Sequence, residues 1–308
     1  MLRYATLRLL GAIPTLLVIA TLAFALLHSV PGGPFDTAKS LEPEIKRNIE
    51  AKYHLDESLP RQYVRYLLQL AHGDLGPSFQ YRGTSVNELV ATGFPVDLTV
   101  GAAALLIALT IGGAIGCIAA LRRNSRWDFF LMGVAVLGIS IPLFVIAPLL
   151  ILVFAMWLRW LPPGDWVSGS LSHLALPALA LAAPYTASIA RLMRASMLEV
   201  LGSPFIRTAR SKGLPGSAIV LHHALRPALL PLISYLGPAL AGVVTGSIVI
   251  ETVFGLPGIG RYFTTGALNR DYTLVVGITV IYGALIVSCN LLVDLAYALL
   301  DPRVRYHR

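Results

Sequence analysis

Residues 98–123 read LTVGAAALLIALTIGGAIGCIAALRR. No charged side chain stands between Leu98 and Leu121, and two arginines follow at once. As a helix rising 1.5 Å per residue, that run is about 36 Å long, enough to cross a hydrocarbon core of about 30 Å. An open sheet of the same residues would leave backbone amides unpaired in lipid. The run therefore predicts a membrane-spanning helix.

Five further runs of the same kind accompany it. They cover Leu9–Val30, Phe129–Trp157, Leu171–Leu192, Ala228–Ile250 and Leu274–Leu300. The runs Phe129–Trp157, Leu171–Leu192 and Ala228–Ile250 carry prolines at 142 and 148, at 177 and 184, and at 231 and 238, where each is expected to kink its helix. The segments lack the alternation of a barrel strand. The expected fold is thus an all-α polytopic membrane protein with six transmembrane helices. Composition agrees: of 308 residues, 56% are hydrophobic and 13% charged, about half the charged share of a soluble domain. A soluble enzyme and a disordered chain are both excluded on that ground. The first run is 22 residues long and meets Pro31-Gly32-Gly33-Pro34 directly, so it reads as a retained anchor, not a cleaved leader.

The net charge of +8 would raise the question of nucleic acid in a soluble protein; here its distribution across the membrane carries the information. With the N-terminus inside, the inner segments hold Arg3, Arg8, Arg122, Arg123, Arg126, Arg191, Arg194, Arg207, Arg210, Lys212, Arg226, Arg303, Arg305 and Arg308. Against them stand only Asp128, Glu199 and Asp301. This basic excess predicts cytoplasmic termini at both ends. The chain then divides into a tip and first span (1–30), an external helical loop (31–97) and a transmembrane core (98–308), with an inner loop at 191–227.

In the external segment Leu41, Ile45 and Ile49 share one helical face, and Tyr63, Leu67 and Leu70 another. The segment reads either as a packed cap over the outer mouth or as a docking surface. The inner loop is too polar to span and too apolar for a free linker. Phe205, Ile206 and Ala209 lie within one turn, flanked by Arg207, Thr208 and Arg210. Lys212 and Gly213 end that run, Leu214 and Pro215 lead into another, and His223 and Leu225 continue it helically. Two short helices with an elbow at Gly213 are expected. They could rest on anionic head groups or form a rigid knob that receives force from a cytoplasmic partner.

After the fifth run comes Glu251-Thr-Val-Phe254-Gly-Leu-Pro257-Gly258-Ile-Gly260, expected as an ordered outer loop that either gates or plugs the mouth or is a plain ordered loop. In the last run Asn290 and Asp294 fall on one face; Asp294 is expected to pair with the basic inner surface, with no other acid at mid-membrane. Trp157, Arg159 and Trp160 read as an interfacial anchor. Gly112-x-x-x-Gly116 and Gly242-x-x-x-Gly246 each offer a flat face, for a helix of this chain or of a partner. Cys117 and Cys289 read as packing residues. No GxxxxGK[ST] phosphate loop, HExxH, CxxC or G-x-S-x-G is present. No catalytic, metal or cofactor residue is therefore expected in this chain.

Several pieces in order resemble one family: GDLGPS at 73–78, HLALPALALA at 173–182, ARLMRASMLEVLGSPF at 190–205, RTARSKGL at 207–214, HALRPALLP at 223–231, ETVFGLPGIG at 251–260, RDYTLVVG at 270–277 and NLLVDLAYALLDPRVR at 290–305. The chain resembles the permease subunits of bacterial ABC importers for dipeptides and oligopeptides, of the kind with a long first outer loop, over nearly its whole length. Two departures stand out. Arg207-Thr208-Ala209 occupies the place where the general importer loop begins Glu-Ala-Ala, and Pro227 stands where peptide-type members usually carry asparagine. The resemblance implies the type I importer fold in a bacterial inner membrane. It implies that Phe205, Ile206, Arg207, Thr208, Ala209, Arg210, Lys212, Gly213, Leu214, His223 and Leu225 couple to an ATPase. The implied partners are a second similar permease, two cytoplasmic ATP-binding subunits that hold ATP and Mg2+, an external substrate-binding protein or lipoprotein, and membrane lipid, with no nucleic acid. The implied solute is a short peptide; nickel chelates, glutathione or another small solute remain open, as does a standalone ion-coupled carrier.

Overall fold

The structure is a computed structural model that describes residues 2–29, 43–245 and 247–300. Its regular elements there are all helical: α1 (Leu2–Ser29), α2 (Pro43–Lys52), α3 (Leu59–Ala71), α4 (Val86–Leu121), α5 (Arg126–Ser140), α6 (Leu143–Trp157), α7 (Leu171–Leu201), α8 (Pro204–Ser211), α9 (from Gly216 to Thr245), α10 (Ile248–Phe254), α11 (Ile259–Leu268) and α12 (Tyr272–Leu300). Five of these are long and apolar enough to cross a membrane, and α5 with α6 makes a sixth span if the bent pair is counted as one.

That bent pair corrects the expectation of one kinked helix over Phe129–Trp157. α5 and α6 meet at 107°. Pro142 takes extended backbone (φ −60°, ψ 146°) and starts α6, and Ile141 before it is extended as well (φ −93°, ψ 123°), as the clash with a proline ring demands. Pro177, Pro184, Pro231 and Pro238 remain inside continuous helices.

α4 starts at Val86, well before Leu98. Ser85 Oγ accepts the amide of Glu88 at 3.2 Å, and the Ser-Val-Asn-Glu spacing is that of a capping box. This brings Asp97 into a spanning helix, where it is buried. The expected start at Leu98 leaves Asp97 outside the span.

The chain forms two compact units. One holds Asp97–Leu256 and the chain from Ser288; the other holds Leu2–Val96 and Pro257–Val287. In the first, α7 is the central helix, with α4, α5 and α9 against it. Glycines permit the approach. A Cβ at Gly112 would lie 2.6 Å from the Thr186 carbonyl oxygen, at Gly116 2.4 Å from that of Ala190, and at Gly138 2.5 Å from that of Ala183. The Gly112/Gly116 face thus packs within this chain, and Gly242 likewise faces the Tyr185 hydroxyl; Gly246 lies outside the described residues.

In the second unit one core joins Leu75, Val86, Leu89, Ile259, Leu274 and Ile278. A second joins Ala20, Tyr66, Val276 and Val280. Helix α3 lies along α1: Leu67 and Leu70 pack on that second core, while the Tyr63 hydroxyl bonds Thr21 Oγ1 at 2.6 Å. Burial pushes the Tyr66 phenol well above its ordinary range, with neighbouring Tyr63 adding to the shift. Of the face expected on α2, Leu41 and the side chains of Ile45 and Ile49 lie outside the described residues.

Candidate functional site

The inner loop is built on the end of α7, which continues past Leu192 to Leu201. Gly202 and Ser203 make the corner, with Ser203 Oγ donating to the Val200 carbonyl at 2.6 Å. Pro204 then opens α8 at the first-turn position, where its missing amide costs nothing. Ile206 and Ala209 are the buried side of α8. Phe205, within the same turn, is about half exposed, alongside Arg207, Thr208 and Arg210. An apolar ring and two arginines therefore project from the loop.

Gly213 follows Lys212 with φ +77°. Its amide bonds the Arg210 carbonyl at 2.9 Å, and the Leu214 amide reaches Ala209 at 3.4 Å, closing the helix end. A left-handed residue is required here, and glycine supplies it without strain. Beyond Pro215 the chain does not form a second separate short helix. It enters α9, which passes through a π-helical turn at Ile219–Ala224 and runs on from Leu225 into the fifth span. Pro227 lies inside that continuous helix. His223 sits in the π turn with its Nδ1 buried and without a hydrogen-bond partner; Leu225 is half-buried. A cleft of about 710 Å3 lies beside the loop, with Arg123 and Arg210 on its rim.

One side-chain pair at this end escaped sequence reasoning. Arg194 grips Asp128 with two bonds, Nε to Oδ1 and Nη2 to Oδ2, each 2.7 Å. Asp128 also accepts the Asn124 amide at 3.0 Å, while its own amide donates to Ser125 Oγ at 3.3 Å. The carboxylate is buried and fully served, and it ties the head of α5 to the stretch of α7 that leads into the loop. The Ser125-x-x-Asp128 spacing was the available signal.

At the opposite ends of the spans, Glu251 and Phe254 lie within α10, both buried, rather than in a loop. Ser247 Oγ donates to Glu251. Gly255 ends the helix at φ +70°. The Phe254 carbonyl accepts the Asp165 amide at 2.9 Å, and a Cβ at Gly164 would lie 2.6 Å from that same oxygen. In the other unit Pro257 precedes a buried Gly258 that opens α11, whose early residue Gly260 is also buried. Gly93 approaches this turn so closely that a Cβ would lie 2.9 Å from the Ile259 amide nitrogen.

That unit also unites GDLGPS with RDYT. Asp271 Oδ2 accepts Ser78 Oγ at 2.5 Å and the amides of Phe79 and Gln80 at 2.9 and 3.0 Å. Its Oδ1 caps α12 through the Leu274 amide at 3.1 Å. Trp157 and Trp160 flank Arg159 and are largely exposed, an arrangement suited to an interfacial anchor. Asn290 is exposed on α12 near Gly237; the side chain of Asp294 lies outside those described. Both cysteines are free. Among the described residues no group of His, Cys, Asp and Glu could hold a metal ion.

Comparison with known proteins gives two family matches. Residues 112–306 match the binding-protein-dependent transport system inner membrane component, and residues 1–100 match the N-terminal membrane component of the same systems. The oligopeptide transport system permease protein OppB of Salmonella typhimurium is 55% identical over 306 residues, 99% of this chain and 100% of that one. OppB of Haemophilus influenzae is 52% identical over 306 residues, with the same coverage. The dipeptide transport system permease protein DppB of Bacillus subtilis is 46% identical over 308 residues, 100% of this chain and 99% of that one.

Proposed function

Because this chain belongs to the family of inner membrane components of binding-protein-dependent transport systems, we propose that it is a permease subunit of an ATP-driven importer of dipeptides and oligopeptides. The observation that carries the reading is α8 with its Gly213 elbow. It is a short amphipathic helix with Phe205, Arg207 and Arg210 outward, fixed to the end of α7 on one side and to α9 on the other. Full-length likeness to peptide permeases supplies the solute class.

In this reading the chain forms half of the translocation path in a bacterial inner membrane, with both termini cytoplasmic. A second, similar permease forms the other half. Two ATP-binding subunits hold ATP and Mg2+, one of them docked on α8, and a substrate-binding protein or lipoprotein delivers peptide from outside, against the external segment 31–97. Closure of the ATPases pushes α8, and because α8 is joined to α7 and α9 without a loose segment, the push moves two spans. This chain performs no chemistry on the peptide. Its work is to present one face of the path and then the other.

The test is cysteine crosslinking from Phe205→Cys to the copurified ATPase subunits, combined with peptide uptake. Crosslinking that changes with bound nucleotide, and uptake that stops when ATP is withdrawn, are expected. Full uptake without any ATPase, tracking an imposed proton gradient, would instead identify an ion-coupled carrier. Unchanged peptide uptake with loss of nickel or glutathione uptake in a strain lacking the chain would reassign the solute.

A further inference from the structure

At the arginine-rich end of the spans, the head of α5 and the facing side of α7 leave a groove of about 620 Å3. The α5 wall is Phe129, Met132, Gly133 and Val136. These stand at i, i+3, i+4 and i+7, so they form one apolar stripe along the helix. A Cβ at Gly133 would meet nothing within 4 Å, which leaves the middle of the stripe hollow.

The α7 wall is Arg191 and Arg194. The two cations are not equivalent. Arg194 is held by both oxygens of Asp128. Arg191, one turn before it, is exposed and makes no ion pair among the described residues. The level of the membrane surface at this end is marked by neighbouring side chains. The Arg122 guanidinium lies 5.7 Å from the Trp127 ring, and Trp127, Phe129 and Phe130 are all more than half exposed. Exposed tryptophan beside arginine at the end of an apolar span belongs at the level of lipid head groups. Arg191 itself stands one turn further into the span than Arg194, on a side chain long enough to carry its guanidinium to that level. The groove thus sets an unneutralised cation within reach of the head groups, beside an apolar trough on α5.

We propose that this groove binds an anionic phospholipid, with the phosphate on Arg191 and one acyl chain along Phe129, Met132, Gly133 and Val136. Charge complementarity selects the lipid. Asp128 would set a negative charge at the head of the groove, but Arg194 covers it, so the field that a phosphate meets is that of Arg191. A zwitterionic lipid offers the same chain but carries an ammonium group toward the same guanidinium. Basic pockets between spans near this surface have the chemistry for anionic head groups. The site is independent of which solute the importer carries.

The test uses the complete importer purified with this chain and placed in nanodiscs of phosphatidylcholine doped with phosphatidylglycerol. Retained lipid is read by native mass spectrometry, and its position by a photoreactive acyl chain. Wild type should retain phosphatidylglycerol in preference to phosphatidylcholine, with label mapping to 129–136. Arg191→Ala should lower phosphatidylglycerol retention about fivefold with phosphatidylcholine unchanged, and Arg191→Lys should keep most of it. Gly133→Leu fills the hollow without touching charge and should reduce labelling by both lipids; it carries the test if the alanine variant does not assemble. Equal retention of the two lipids by wild type, or label that ignores both substitutions, overturns the site. So does Met132→Cys crosslinking to another subunit, which would make the groove a protein interface.

Discussion

Asp271 holds Ser78 across 193 positions of sequence at 2.5 Å, and the same carboxylate caps the last span. One side chain therefore fixes both the fold of the GDLGPS turn and the start of α12. The turn helps by shaping itself: Gly76 donates to Asp74 Oδ1 at 2.9 Å, and Asn87 bridges the Leu75 amide and the Gly73 carbonyl.

Removing this carboxylate strands several donors at once. Asp271→Ala should destabilise the outer turn by about 1–3 kcal/mol for each buried donor left unpaired, and Asp271→Asn by less, because one amide oxygen still accepts. Limited proteolysis at 73–82 in detergent-purified protein is the measurement. The alanine variant should be cleaved faster than the asparagine variant, and both faster than wild type.

Gly116→Ala tests the α4–α7 contact. The added methyl would meet the Ala190 carbonyl oxygen at 2.4 Å and Met193 Cβ at 2.7 Å. Both belong to the central helix, so relief requires the helices to part. A loss of about 1–3 kcal/mol is expected from overpacking, read as a lower melting temperature. Gly113→Ala, whose Cβ would meet nothing within 4 Å, should be tolerated and serves as the control.

Gly213→Val separates backbone conformation from packing. A Cβ there meets nothing within 4 Å, yet φ is +77°, so the cost is conformational alone, about 1–2 kcal/mol. Membrane abundance should be normal, while substrate-stimulated ATP hydrolysis and uptake should fall. Gly213→Asn, which tolerates the left-handed region better, should retain more of both. Wild-type coupling in the valine variant would mean that the loop does not need its elbow.

How much was legible in sequence depended on the range of the forces involved. Apolar run length is a property of each segment alone, so the spans were readable at Leu98–Leu121 and its counterparts. Helix ends were less so: Ser85 and Glu88 start α4 early, and the stretch after Leu192 stays helical despite Arg194 and Glu199 because its buried face packs against neighbours. Pro142 and Pro177 look alike in a sequence, yet one breaks a span and the other does not; the outcome is set by how neighbouring helices accommodate the ring. At the inner loop, Gly213 announced itself through the change of pattern around it. Phe205 did not, since adjacent residues of a helix point about 100° apart and only packing decides which side is buried. Asp128–Arg194 and Asp271–Ser78 each join distant stretches, so only the capping spacings near Asp128 and Asp271 hinted at them.

The length of α7 has a mechanical meaning. From Leu171 to Leu201 it is unbroken, about 46 Å of helix, well beyond the thickness of the hydrocarbon core. A rod of that length turns angle into distance: tilting it by about 5° about one end carries the other through about 4 Å. Small rotations deep in the membrane and sizeable strokes at the surface are then one motion. The glycine that permits a change of direction, Gly213, stands past the end of the rod, where it steers the stroke without shortening it.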